Sequence, residues 1–187
     1  MLLACLGVDR YALAGAEPDE PAHLEPPVNL VQTNAIEFGV GRWRLSYERL
    51  LAPHHAFVAS PVLQFGPPHS TAWIGEVGYR FYSSPVMLEG AYAGVSILGS
   101  TYSYPAALCC IPIDAKYHRG WALGAALDLG WKIAWRSGVV LDLGAGVMYQ
   151  RSMKDYGVEG YDFGTIYEAY VSSGLLPRVS IAVGYAF

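Results

Sequence analysis

The final eleven residues, Pro177 to Phe187, alternate without a break. Val179, Ile181, Val183, Tyr185 and Phe187 fall on one side and Arg178, Ser180, Ala182, Gly184 and Ala186 on the other, because successive side chains of a strand point to opposite faces of its sheet. One face carries every large apolar group. The other is too small and too sparsely polar for a water-facing surface, which calls for Lys, Glu, Thr and Gln. The chain therefore has to build strands that are apolar outside and cramped inside, as in a sheet closed on itself with hydrocarbon around it.

Composition narrows the alternatives. Apolar residues make up 53% of the 187 and charged residues 15%, against roughly 25% charged in an average soluble domain. Yet no run approaches the ~20 consecutive apolar residues of a spanning helix. The 21 glycines and 14 tyrosines suit close-packed strands that meet an interface. A net charge of −4 lacks the basic footprint that nucleic acid requires. Cys5, Cys109 and Cys110 make an odd count with no disulfide framework; the adjacent pair leaves free thiols or an intermolecular bond open. Residues 1–27 read as a clipped export signal or disordered leader, with Leu2-Leu3-Ala4-Cys5 and Ala12-Leu13-Ala14 as alternative processing sites. Residues 28–187 form one expected all-β domain.

The same alternation recurs upstream. Residues 139–150 set Val139, Leu141, Leu143, Ala145, Val147 and Tyr149 against Val140, Asp142, Gly144, Gly146, Met148 and Gln150. Residues 121–135 do likewise, joined to them by the tight turn Arg136-Ser137-Gly138. Residues 73–82 place Trp73, Gly75, Val77, Tyr79 and Phe81 outward. Residues 86–98 are expected with Leu88 and Tyr92 outward and Glu89 inward. Residues 42–51 put Trp43, Leu45 and Tyr47 outward against Arg42, Arg44, Ser46 and Glu48; 56–65 follow the turn at 52–55. A first strand is expected over about 28–37, with Phe38 to Gly41 as its turn. The count is about eight, an even number suited to an antiparallel up-and-down transmembrane barrel. Short connections at 52–55, 83–85 and 136–138 mark the periplasmic side in that architecture, and long ones at 101–118 and 153–176 the extracellular side.

Outward aromatics gather near the strand ends, with Trp43, Trp73, Trp121 and Tyr149 at the loop side and Phe81, Trp131, Trp135, Tyr185 and Phe187 at the turn side. From Trp121 to Trp131 is about 33 Å of strand, which a tilt of ~40° reduces to roughly 25 Å along the membrane normal, the height of an outer-membrane apolar band. A soluble lipocalin-like barrel would hold its aromatics inside and need a far more polar second face.

Arg44, Glu48, Glu76, Arg80, Asp128, Lys132, Asp142 and Arg178 all fall on the small-residue face, four acids and four bases. An eight-stranded barrel is filled by its own side chains, and buried charges are costly unless paired. The balance implies an ion-pair network that plugs the interior. Asp128 and Lys132 lie on one strand about 13 Å apart, so each is expected to pair across with Asp142 or Arg178. The competing view is a catalytic site in which Asp128 and Asp142 share a proton, with no His or Ser expected beside them on the inward face near the extracellular rim. No catalytic residue is assigned. His54 and His55 sit in a turn, His69 and His118 in loops and His23 in the leader; a metal site needs several converging ligands, so no metal or cofactor is expected.

Taken together, residues 28–187 resemble the small eight-stranded outer-membrane barrels of the OmpA and OmpX type, whose terminal aromatic is part of the signal read by the barrel-insertion machinery. More narrowly, Leu45-Ser46-Tyr47-Glu48-Arg49-Leu50-Leu51 with Ala56-Phe57, Leu141-Asp142-Leu143-Gly144 and Leu176-Pro177-Arg178 resemble a family of uncharacterised bacterial barrels defined as a domain of unknown function. The resemblance implies a Gram-negative outer membrane, with lipid, lipopolysaccharide and the insertion machinery as partners. It carries no activity. A non-enzymatic structural or surface-interaction role is expected, with Tyr102, Tyr104, Tyr117, Tyr156, Tyr161, Tyr167 and Tyr170 as a loop surface for an extracellular ligand. The alternatives are a porin-like narrow pore or a barrel enzyme acting on lipid A, which would need a Ser/His/acid set at the rim.

Overall fold

Alternation of large and small residues closes into a barrel in the computed structural model, which describes residues 27–66, 70–84, 88–105, 117–153 and 174–187. The strands are β1 (Asn29–Asn34), β2 (Arg42–Ala52), β3 (His55–Gly66), β4 (Ser70–Tyr82), β5 (Gly90–Pro105), β6 (Tyr117–Ala134), β7 (Val139–Ser152) and β8 (Gly174–Ala186). Each pairs antiparallel with its sequence neighbours, and β8 returns to β1. The seam is closed by Asn29 N to Phe187 O at 3.0 Å and Phe187 N to Asn29 O at 2.9 Å. The leader, Cys5, Cys109 and Cys110 lie outside the described residues.

The pairing register defines the barrel's shape. Partners followed from Leu30 through Glu48, Val58, Gly78, Ser96, Ala126 and Met148 lead to Leu176 on β8, whereas Leu30 itself pairs with Ala186. That offset, 186 − 176 = 10 residues, is the stagger of the sheet. With ~3.3 Å per residue and ~4.8 Å between strands, it tilts the strands about 40° from the barrel axis. Along all eight strands, where the side chains are described, the even-numbered ones turn inward and the odd-numbered ones outward.

Tight turns at one end need unusual backbone. Gly138 takes φ 87° in the β6–β7 turn, and a Cβ there would meet the Tyr185 ring at 2.8 Å. His54 takes φ 70° without being glycine. Its Nδ1 lies 2.8 Å from the Tyr82 carbonyl, and its ring stacks on Phe81.

Three sequence expectations change here. β1 stops at Asn34, and residues 35–39 form a short helix α1 (Ala35–Gly39) instead of continuing the strand. Asn34 Oδ1 accepts from the amides of Ile36 and Glu37, a capping interaction that competes with the sheet ladder. At β5 and the two residues before it the facing is reversed: Tyr92 and Leu88 are buried inside and Glu89 is exposed. The Tyr92 ring fits because Gly130 faces it, where a Cβ would lie 2.4 Å from the ring. β5 and β6 also run further than expected, so Tyr102, Tyr104, Tyr117 and His118 belong to strands. Tyr102 is buried in the interior against Ala72 and Ala122, not displayed on a loop. Tyr156, Tyr161, Tyr167 and Tyr170, with His23 and His69, lie outside the described residues.

Candidate functional site in the barrel interior

All eight predicted interior charges lie inside the barrel, where the strands bring them into two groups. Near the turn end, Arg80 Nη1 lies 2.8 Å from Glu48 and 3.1 Å from Asp142. Lys132 pairs with Glu48 and stands 3.7 Å from Asp142. Tyr92 donates to Asp142 at 2.8 Å, Gln32 donates to its other oxygen at 3.1 Å, and the Tyr82 hydroxyl donates to Glu48. The Arg80 guanidinium also lies over the Tyr92 ring, 4.3 Å from its centroid, a favourable cation–π contact. Glu48 and Lys132 are fully buried, so their charges depend on these partners.

The second group lies toward the loop end. Glu76 accepts from Arg44 at 2.6 Å and from Arg178 at 3.0 Å, and takes a further hydrogen bond from Ser96. Arg178 Nε reaches Asp128 at 3.4 Å. Two members stand outside the eight predicted from the sequence, where Arg42 was placed inward but not counted in the network. Glu37, carried by α1, receives Arg44 at 2.9 Å and Arg42 at 4.0 Å. Arg42 has the inward parity of its strand, which was the signal for it; Glu37 is inward only because α1 replaces the end of β1. Each group is neutral: two acids with two bases below, and three acids with three bases above.

Asp128 meets Arg178 and Lys132 stands 3.7 Å from Asp142, as expected; what the sequence did not reveal is that Lys132 lies closer still to Glu48, which β2 supplies from across the interior. Asp128 and Asp142 therefore sit in different groups, each with its own cations, and do not form a proton-sharing dyad. Ser46 is inward as expected, and Ser60, Ser96 and Ser100 are buried inside with it, Ser100 nearest the loop end, where no serine was expected. Ser96 donates to Glu76 and Ser60 to Ser46; neither is joined to a histidine.

Apolar clusters pack among the charges. Leu30, Ala56, Tyr82, Leu88, Val140 and Ala186 pack at the turn end, and Val62, Ile74, Leu98, Ala126 and Met148 toward the loop end. Between the two charged groups lies a cavity of ≈ 60 Å³, lined by Gln32, Ser60, Ser96, Asp128, Gly144 and Ser180 among others. That is room for a few waters among polar groups able to hold them. Among the described residues no group of three or more His, Cys, Asp and Glu could hold a metal ion.

The nine predicted belt residues all stand on the outer surface, 42% to 62% exposed despite their size. Phe57 and Phe65 join them. With the stagger and tilt above, Trp43, Phe65, Trp73, Trp121 and Tyr149 form a band about 25 Å above that of Phe57, Phe81, Trp131, Trp135, Tyr185 and Phe187. On the outer faces of the strands the charged side chains described are Arg49, close to the turns, and Arg151, at the loop end. None lies between the bands. No helix of the described residues is long and apolar enough to cross a membrane, a condition that does not bear on strands.

No protein-family model matches the chain, and no significant match to it was found among curated proteins or solved structures.

Proposed function

We propose that this protein is a non-enzymatic bacterial outer-membrane β-barrel whose interior is closed by paired charges and whose role is structural or surface interaction through its long connections. The observation that carries it is the outer wall, where Leu, Val, Ile and aromatic side chains stand exposed with no charge among the described residues between two aromatic bands. Water would penalise such a surface at roughly 25 cal/mol per Å²; hydrocarbon would not, and a closed barrel leaves no unpaired backbone edge to face it. Lipid and lipopolysaccharide are the partners this surface fits, and the insertion machinery the assembly route. The likeness to OmpA- and OmpX-type barrels rests on the sequence patterns given above. Against catalysis stands the saturation of the interior carboxylates by cations; against conduction, the ion pairs and apolar clusters that together fill the interior.

The test combines fractionation with electrophysiology. The full chain is expected in the outer-membrane fraction, to migrate at a heat-modifiable position on unboiled gels, and to give little or no conductance in planar bilayers. Monodisperse solubility without detergent would overturn the membrane reading. Large, stable single-channel currents would replace the plug with a pore, and release of acyl chains from lipid A would replace it with an enzyme.

A further inference from the structure

Arg49 is the outlier of the outer wall. It is exposed on β2, four residues before the β2–β3 turn, and makes no hydrogen bond or ion pair among the described residues. By the register and tilt it lies within about 3 Å of the height of Phe81, Trp131 and Tyr185 in the turn-end band. Its surroundings are specific. Phe57 is its direct partner on β3 and Asn29 on β1. His55 lies two residues along β3 from Phe57 on the same outer face, a diagonal position about 7 Å away and within reach of a long side chain.

His55 is itself held in place. Its Nδ1 meets the Tyr79 hydroxyl, and its ring packs edge-on against Phe81 at 5.5 Å. In the tautomer whose Nδ1 accepts from that hydroxyl, the ring proton is on Nε2, which has no protein acceptor among the described residues. On the other flank Tyr47 donates to Asn29 Oδ1 at 2.7 Å, which fixes that side of the patch. The patch thus presents a guanidinium and an imidazole around an apolar platform, Phe57, with the other described charge of the outer wall, Arg151, at the opposite rim.

We infer that Arg49 and His55 form a binding site for the phosphate of a phospholipid headgroup at the turn-end rim of the barrel. The inference rests on the membrane reading of the proposed function. A guanidinium is weakly hydrated and matches phosphate with two parallel N–H donors. An arginine at the level of an aromatic band reaches the headgroup layer, while its neighbour Phe57, further from the turns by the register and tilt, remains among acyl chains. Free phosphate lacks the chains that Phe57 and Phe81 would cover, so the intact lipid is the better ligand.

Native mass spectrometry of the full chain folded in dodecyl maltoside, with phosphatidylglycerol added in tenfold excess, tests this. The wild type is expected to retain one lipid. Retention should fall about tenfold or more in Arg49→Gln, since a charge-assisted pair is among the stronger hydrogen bonds. It should fall a fewfold in His55→Phe, recover largely in Arg49→Lys, and remain unchanged in Arg151→Gln at the opposite rim. Folding of each variant is read from its heat-modifiable band. Equal retention by wild type and Arg49→Gln, or equal retention of diacylglycerol and phosphatidylglycerol, overturns the site. Displacement by millimolar inorganic phosphate alone overturns the lipid as ligand. Failure of the wild type to fold in any detergent or vesicle would instead overturn the membrane reading, and the site with it.

Discussion

Lys132 shows how far a single residue depends on its enclosure. It is fully buried among Glu48, Asp142 and the rings of Tyr82 and Tyr92. Lys132→Met leaves Glu48 and Asp142 with only Arg80 between them. An uncompensated buried charge costs about 3–5 kcal/mol, and urea titration in lipid vesicles should register a loss of that order. Adding Glu48→Gln returns the group to one acid and one base and should recover most of it. A double mutant no more stable than the single would reject the pairing. Glycine offers a second comparison. Gly130→Ala drives a Cβ into the Tyr92 ring, whereas Gly99 faces outward with its nearest contact Leu123 Cδ2 at 3.6 Å. Overpacking costs about 1–3 kcal/mol, so Gly130→Ala should lower the urea midpoint and Gly99→Ala should leave it nearly unchanged.

Among the elements, α1 is the least regular and the most instructive. Asn34 ends β1 by capping a single helical turn, and that turn swings Glu37 over the mouth of the barrel onto Arg42 and Arg44. Arg44 keeps Glu76 when Glu37 is lost, but Glu76 itself serves both Arg44 and Arg178. Glu37→Gln should therefore destabilise the barrel clearly less than Glu76→Gln in the same titration, and the reverse order would mean that the cap, not the strand wall, holds the upper group. β8 carries a different kind of test. Phe187 ends its outward row and is tied to Asn29 across the seam. On the proposed assembly route, Phe187→Asp should sharply reduce the heat-modifiable fraction in cells, while Ser137→Asp, exposed in the β6–β7 turn, should fold as well as wild type. Equal folded yields would remove the terminal aromatic from the assembly argument.

At the scale of the molecule, the stagger of ten residues decides which side chains share a level. Glu48 and Lys132 lie 84 positions apart in the chain and on strands that are not neighbours. Only closure of the sheet and its tilt bring them to one height. The same geometry separates Asp128 from Asp142, although they stand on adjacent strands. It also leaves a polar cavity between two neutral groups instead of one continuous network.

Residue chemistry alone was enough to determine the strand class, the eight-strand count, the outward face and the inward face of nearly every strand, because a period of two is written directly into side-chain size and polarity. The belts followed for the same reason. β5 was the exception: three of the five residues in its outward row, Ala91, Ala93 and Gly99, are small, while Tyr92 and Leu98 are large but inward, so size no longer reported direction. There the answer lay in Gly130 and Gly144 on neighbouring strands, which make space for Tyr92. Glu37's role lay in a cap that overrode the continuation of β1. Partner choice among the interior charges belongs wholly to the tertiary structure, since parity assigns a residue to the interior but only register, stagger and closure assign it a height and a neighbour.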